Sequence, residues 1–197
     1  MSLPEVLLSF LSDNGGFVTT EEASSLGFSN ERMRLFVRAG ELESVGHGIY
    51  MGADYFLDKM YVTQKACQKV IYSHETALFL HALTDRDPIN YNVTVPQGYH
   101  NKRLLNDGFS VYAIKADLHL LNVIEMKTAF GNKIRAYDLE RTVCDCVRRR
   151  NHMDIAVLTD ALKFYVQRKD KNLIRLMESA KQLRVEKKMK EYMEVLL

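Results

Sequence analysis

The segment from Ser29 to Tyr50 constrains the fold most, because its pattern predicts a helix followed at once by a tight hairpin. The Ser29 hydroxyl suits an N-cap, since it can accept from a free amide of the first turn. Met33 and Phe36 recur at helical spacing and are expected to face inward. Gly40 ends the predicted helix, because glycine adopts the left-handed C′ conformation at little cost.

The hairpin is predicted from two short apolar runs, 42–45 and 49–51, that flank Gly46-His47-Gly48. Two glycines around one residue permit a tight turn with positive φ. On the preceding helix, Arg34 and Arg38 are four residues apart and therefore share an outward face. A helix with paired arginines beside a small hairpin is typical of a winged helix-turn-helix, in which the helix enters the major groove of DNA.

The first fifty residues complete this pattern. An amphipathic helix is expected at 3–11, a short strand at 17–18, and a second helix begins at the capping-box spacing of Thr19 to Glu22. The order helix, strand, helix, helix, hairpin predicts a winged helix-turn-helix DNA-binding domain over residues 1–52. The residues expected to contact DNA are Thr19, Thr20, Ser29, Asn30, Arg32, Arg34, Arg38 and His47.

A second domain is predicted over residues 60–197, after an interruption of periodicity near residues 51–58. It is expected to hold a small, mostly antiparallel sheet with several helices and to end in a helical segment, so that the whole chain is α+β. Helices are predicted at 61–69, 74–83, 138–148, 153–168, 172–183 and 185–196, strands at 70–72, 91–95, 109–114, 120–128 and 133–137, and a polar loop at 97–107.

Composition bounds the class of protein. The chain has 197 residues, of which 47% are hydrophobic, so it can bury a core. No apolar run approaches the roughly 18 residues that span a bilayer, and the first residues lack the basic region of a signal peptide. The three cysteines form no CxxC pair, so neither a disulfide framework nor a zinc site is expected. We expect a cytoplasmic protein without membrane association, metal or cofactor.

Charge is distributed unevenly along the chain. Residues 1–50 hold three arginines against seven acidic residues, whereas residues 148–197 hold thirteen basic residues against seven acidic ones. Phosphate binding requires local positive charge, and salt dependence reports it. The C-terminal segment is therefore an auxiliary phosphate-binding surface in our interpretation, although lysines and arginines can equally solvate helix faces. Its candidate residues are Arg148, Arg149, Arg150, Lys181, Arg184, Lys187 and Lys188.

Catalytic patterns are sparse. His74, Glu75 and His81 lack the HExxH spacing that a zincin needs. Glu125 and Lys127 share one face of a predicted strand, as in the E-x-K half of a nuclease site, and Asp107 or Asp117 is the candidate second carboxylate. The same pair is also an ordinary ion pair on a solvated strand. No nucleophile-elbow pattern supports acyl transfer.

Two motifs resemble the AbiEi-type antitoxins of bacterial abortive-infection, or type IV toxin–antitoxin, systems. The first is the helix and hairpin ending in Val45-Gly46-His47-Gly48-Ile49-Tyr50, and the second is Tyr137-Asp138-Leu139-Glu140-Arg141-Thr142-Val143-Cys144-Asp145. The family usually has a basic residue at the hairpin tip, where this chain has His47. The order of strands and closing helices also agrees with the family.

The resemblance implies an N-terminal winged helix that represses its own operon by binding inverted repeats in double-stranded DNA. It also implies a C-terminal domain that counters a nucleotidyltransferase-type toxin in phage defence, without a stable toxin–antitoxin complex. We therefore expect a DNA-binding autorepressor and antitoxin that is not an enzyme. Two alternatives stay open: a metal-dependent DNA nuclease using Asp117, Glu125 and Lys127, and a protein-interaction adaptor without salt-sensitive DNA binding.

Overall fold

Four helices and a three-stranded sheet form the first part of the chain in a computed structural model, which describes residues 2–197. The sheet has the order β1-β3-β2, and both pairings are antiparallel. The elements in chain order are α1 Glu5–Asp13, β1 Phe17–Thr19, α2 Thr20–Ser25, α3 Asn30–Arg38, β2 Leu42–Gly46, β3 Ile49–Gly52 and α4 Lys59–Ala66.

Local capping fixes the two helices that follow β1. The Thr19 hydroxyl accepts from the Glu22 amide at 3.2 Å, and the Glu22 carboxylate accepts from the Thr19 amide at 2.7 Å. These two bonds form the predicted capping box and begin α2. The Ser29 hydroxyl accepts from the Arg32 amide at 3.3 Å and begins α3. Gly40 follows α3 with φ +75°, which glycine tolerates without strain.

The three-stranded sheet is covered on both faces, because successive strand residues point to opposite sides. Val18 and Tyr50 belong to the cluster formed with α1, α2 and α3, while Phe17, Ile49 and Met51 pack with residues of α4. The first compact unit accordingly reaches Gln68 and includes α4, whereas the predicted DNA-binding domain ends at residue 52. Residues Lys127–Ile134 are grouped with this unit.

The second unit consists of Lys69–Met126 and Arg135–Leu197. The five-stranded sheet has the order β6-β5-β4-β8-β7. The elements are β4 Ile71–Tyr72, α5 His74–Leu80, β5 Asn92–Pro96, α6 Lys102–Asn106, β6 Ser110–Ile114, α7 Ala116–His119, β7 Val123–Lys127, β8 Lys133–Tyr137, α8 Leu139–Arg149, a short 3-10 helix Arg150–His152, α9 Ile155–Gln167, α10 Leu173–Gln182 and α11 Glu186–Leu196.

The α+β class is confirmed, but the second sheet is mixed rather than mostly antiparallel. β4 pairs with β5 in the antiparallel sense, whereas β4 with β8 and β5 with β6 are parallel. The β5–β6 pairing is parallel because the segment between these strands contains α6 and returns the chain to the same end of the sheet, whereas β4 and β8 pair across the intervening β5, β6 and β7. The residue pattern within one strand does not predict whether its partner strand runs parallel or antiparallel to it.

Two shorter predictions also change. The loop expected at 97–107 contains α6, because the Asn101 side chain accepts from the Arg103 amide and Leu104 is buried. The strand expected at 120–128 is shortened to β7, since α7 precedes it and Asn122 adopts φ +57°. The helices predicted from residue 138 onward agree with α8 to α11 within a few residues.

Helix α8 forms the centre of the second unit. The Asp138 carboxylate accepts from the Arg141 amide at 2.8 Å and begins the helix, as the sequence predicts. Every residue from Leu139 to Val147 is buried. The apolar members pack with α5, α9, α10 and α11 in one hydrophobic cluster. Polar residues of α8 that lie inside this unit must therefore find their partners within the protein.

Candidate nucleic-acid interface

An open groove of about 870 Å³ lies on the surface of the first unit. It is lined by the start of α2, one face of α3, the β2–β3 turn and the end of α4. The polar and charged residues around it are Thr19, Thr20, Glu21, Glu22, Asn30, Arg34, Arg38, Ser44, His47, Lys65 and Gln68. We call this surface the α3 groove.

Two of the three arginines of α3 line the α3 groove. Arg34 and Arg38 are exposed and lie one helical turn apart, as their spacing predicts. Arg32 is also exposed, but its guanidinium carbon lies 5.3 Å from the Phe28 ring centroid and 5.8 Å from that of Phe36. Stacking on these rings occupies Arg32 on a different side of α3. Arg34 and Arg38 therefore line the groove, whereas Arg32 does not.

The hairpin tip is attached to the start of α2. The Thr20 amide donates to the Gly48 carbonyl at 2.8 Å, and the Thr20 hydroxyl donates to the same oxygen at 3.2 Å. Gly48 has φ +67°, and a Cβ at this position would approach the Thr20 hydroxyl to 2.9 Å. These contacts hold the exposed His47 side chain at the border of the groove.

Acidic residues beside the groove are partly neutralised. Lys65 donates to Glu22 at 2.6 Å, although the two residues are far apart in sequence. Partial burial raises the pKa of the Glu22 carboxyl, but hydrogen bonds from Lys65 and Thr19 outweigh burial and hold this pKa below its usual value. Glu22 is thus a carboxylate at neutral pH, and Lys65 compensates its charge. Glu21 lies exposed at the groove.

The remaining residues of the predicted DNA contact set have local structural roles. Thr19 caps α2, Thr20 holds Gly48, and Ser29 caps α3, whereas Asn30 lines the groove. Lys65 and Gln68 line the groove but are absent from the predicted set. Their sequence neighbourhood gives no signal, because α4 reaches the groove only through its packing on the sheet.

The basic residues predicted near the C-terminus occupy several places in the second unit. Arg148 and Arg149 line a pocket with His74, whereas Arg150 donates to the Val147 carbonyl at 3.2 Å. Lys181 lines a separate cleft beside α10, and Lys188 pairs with Glu191. Arg184 and Lys187 are exposed, and Arg184 has φ +61°.

The nuclease alternative receives no support from the structure. Within residues 2–197, no group of three or more histidine, cysteine, aspartate or glutamate residues is arranged to hold a metal ion. Asp107 forms an ion pair with Arg103 at 3.3 Å, and the Asp117 carboxylate accepts from the Leu118 amide at 3.0 Å.

Within residues 2–197, no helix has the length and apolar character that crossing a membrane requires.

No curated protein matches the sequence significantly. The chain resembles in fold the crystal structure of the RV2827C protein from Mycobacterium tuberculosis, with a TM-score of 0.60 and 17% sequence identity over 88% of this chain and 69% of that chain. A family model described as "Transcriptional regulator, AbiEi antitoxin" matches residues 5–51. The resemblance to AbiEi-type antitoxins is therefore confirmed, and the match lies in the segment that forms α1 to β3.

Proposed function

We propose that the first unit is a winged helix-turn-helix that binds double-stranded DNA. In this proposal α3 is the recognition helix in the major groove, and the β2–β3 hairpin is the wing that reaches the neighbouring phosphates. The observation that carries it is the position of Arg34, Arg38 and His47 around one exposed groove. Arginine suits both base edges and phosphates, because its planar guanidinium can donate two parallel hydrogen bonds.

The proposed biological role follows from the family match of the same segment. A chain whose residues 5–51 match AbiEi antitoxin regulators is proposed to repress its own operon at inverted repeats and to counter a cognate toxin. We propose a toxin of the nucleotidyltransferase type, a type IV system without a stable toxin–antitoxin complex, and a role in phage defence. The protein acts in this proposal by binding rather than by catalysis.

DNA binding is tested with the DNA upstream of the gene and the full-length protein. The Arg34→Ala, Arg38→Ala double variant is expected to bind this DNA at least tenfold more weakly by fluorescence anisotropy, since one base-reading arginine contributes about 1–3 kcal/mol. The matched control is Lys59→Ala with Lys133→Ala, which removes two exposed positive charges outside the groove. Equal affinities for the parent and the arginine variant would refute the proposed recognition helix.

Two further measurements test the nuclease alternative and the proposed antitoxin role. Plasmid DNA with Mg²⁺ or Mn²⁺ should stay intact, and cleavage that Glu125→Ala abolishes would replace the proposal with the nuclease. Coexpression with the neighbouring gene tests antitoxin activity in cells. Rescue of growth by the parent and by the Arg34→Ala, Arg38→Ala variant would show that antitoxicity does not require DNA binding through α3. Failure of the parent to rescue would contradict the antitoxin role.

A further inference from the structure

A pocket of about 270 Å³ lies within the second unit, beside the C-terminal end of α8. The start of α5, strand β6 and the 3-10 helix complete its wall. Its polar lining residues that matter here are His74, Tyr112, Asp145, Arg148, Arg149 and His152. We call it the α8 pocket. It has no part in the α3 groove, whose residues belong to the first unit.

The charge of the α8 pocket is positive. Arg148 and Arg149 are exposed side chains at the end of α8. Among the described lining residues, Asp145 is the one carboxylate, and its Oδ2 accepts from the Arg141 Nε at 2.9 Å. Arg141 therefore compensates the charge of Asp145. The two remaining guanidinium groups attract an anion, and the walls of a cleft strengthen that field relative to an open surface.

Stacked rings hold part of this site in place. The His74 and Tyr112 rings stack with centroids 3.8 Å apart, and the Arg149 guanidinium carbon lies 4.8 Å from the Tyr112 centroid. The Tyr112 hydroxyl donates to the Asn92 side chain at 3.1 Å, and the Nδ1 atom of His74 lies 2.9 Å from the Ser73 hydroxyl. Arg149 thus loses less side-chain freedom on binding a ligand than an unsupported surface arginine does.

A purely structural role for the arginines is the competing explanation, because positive side chains stabilise helix C-termini. Arg150 fulfils that role directly through its hydrogen bond to the Val147 carbonyl. Within residues 2–197, the Arg148 side chain makes no ion pair or hydrogen bond, and the Arg149 side chain contacts the Tyr112 ring. Two guanidinium groups therefore keep their donors available at the mouth of the pocket.

His74 responds to the same positive field. It is buried and adopts φ +50°, a left-handed conformation that is uncommon outside glycine and asparagine. Burial, reinforced by the charges of Arg149, Arg141 and Arg148, lowers the pKa of His74 to about 3. The ring is consequently neutral at physiological pH. An anion beside Arg148 and Arg149 would offset their effect on this ring.

We propose that the α8 pocket binds the dianionic phosphate of a small phosphate monoester. Two guanidinium groups match two negative charges, and arginine recognises phosphate through parallel hydrogen bonds. The volume lies below the range of about 300–1,000 Å³ that is usual for drug-sized ligands, so it suits a phosphate with little attached to it. This inference is independent of DNA binding by the α3 groove.

The test is a titration of the full-length protein with ribose 5-phosphate, followed by calorimetry and by NMR of the histidine rings. The parent is expected to bind saturably at one site and to shift the His74 resonances. Arg148→Gln with Arg149→Gln should weaken binding at least tenfold, because each lost charged hydrogen bond corresponds to about tenfold in affinity. His74→Asn, which tolerates the same backbone conformation, should retain the fold and lose part of the affinity.

The matched control is Lys163→Gln with Lys169→Gln, which removes two exposed charges of the same unit outside the pocket. Circular dichroism of each variant verifies folding. Absence of saturable binding by the folded parent would overturn the proposal. Equal weakening by the control and the arginine variant would also overturn it, since binding would then follow net charge rather than the pocket.

Two sources of the phosphate are distinguished by a second titration. A short oligoribonucleotide is compared in its 5′-phosphorylated and 5′-hydroxyl forms. Preference for the phosphorylated form, with higher affinity than ribose 5-phosphate, would identify a terminal phosphate of nucleic acid as the ligand. Equal binding of both oligonucleotide forms, together with saturable ribose 5-phosphate binding, would identify a free phosphate monoester. Either result retains a phosphate monoester in the α8 pocket.

Discussion

Arg141 and Asp145 form a buried ion pair on successive turns of α8, with 2.9 Å between Nε and Oδ2. Both side chains are almost inaccessible to solvent, at 0% and 4% relative exposure. The Nη1 atom of Arg141 also donates to the carbonyls of Leu118 and Leu121, and its guanidinium lies over the Tyr137 ring. This single side chain thereby connects α8 to the segment that precedes β7.

Removal of one partner of this pair is expected to be costly. Asp145→Ala leaves a buried guanidinium without its counter-charge, so the free energy of unfolding should fall by about 3–5 kcal/mol. Chemical denaturation measures the change. The Arg141→Met, Asp145→Leu double variant removes both charges and should lose less stability than the sum of the losses in Arg141→Met and in Asp145→Leu. Additive losses would contradict a coupled pair.

The buried His74 predicts a pH dependence of stability. Its pKa is about 3 in the folded protein, because of burial and of Arg149, Arg141 and Arg148, and about 6.5 when unfolded. Below pH 6.5 the unfolded chain binds a proton that the folded chain does not, so the contribution is full above pH 6.5 and is lost as pH falls toward 3. The loss is at most about 1.4 kcal/mol per pH unit.

Denaturation curves at pH 7 and pH 5 are compared for the parent and His74→Asn to isolate this group. The stability difference between the two pH values should be smaller in the variant. His81 and His119 also have pKa values lowered by burial, so they contribute equally to both proteins and cancel. An identical pH dependence in both proteins would contradict the neutral, buried state of His74.

The contact between the hairpin tip and α2 predicts a specific effect of Gly48→Ala. Besides the cost of a positive φ, about 1 kcal/mol, the new methyl group meets the Thr20 hydroxyl at 2.9 Å. We expect lower stability and weaker DNA binding. Gly131→Ala is the control, because Gly131 also has positive φ but nothing lies within 4 Å of the added Cβ. Equal DNA affinity of both variants would exclude a role for the hairpin position.

The role of the C-terminal basic residues in DNA binding is tested by salt dependence. If Arg148, Arg149 and Arg150 contact DNA phosphates, their replacement by alanine should make the slope of log affinity against log salt less negative by about 0.9 per contact. The affinity of the full-length protein for its upstream DNA is measured between low and moderate salt. An unchanged slope would show that these arginines do not contact DNA phosphates.

Local signals in the sequence determine much of the helix content. The Ser29 and Asp138 side chains accept hydrogen bonds from backbone amides at the starts of α3 and α8, as predicted. The capping box at Thr19 forms, and Gly40 adopts the predicted left-handed conformation. The outward pairing of Arg34 and Arg38 also follows from spacing alone. These features are predictable because each interaction joins residues within about four positions. Arg141 and Asp145 meet for the same reason, but their complete burial is not local.

Tertiary structure decides the rest. Parallel pairing of β4 with β8 joins two strands between which β5, β6 and β7 lie in the sequence. The contact of Lys65 with Glu22 depends on how α4 packs against the three-stranded sheet. The α8 pocket likewise unites α5, β6 and α8. Such contacts require residues that are distant in sequence to come together in a shared core. The residue pattern within one helix or strand does not predict them. The sequence therefore determines the elements and their caps, whereas packing of distant elements determines which charged side chains meet.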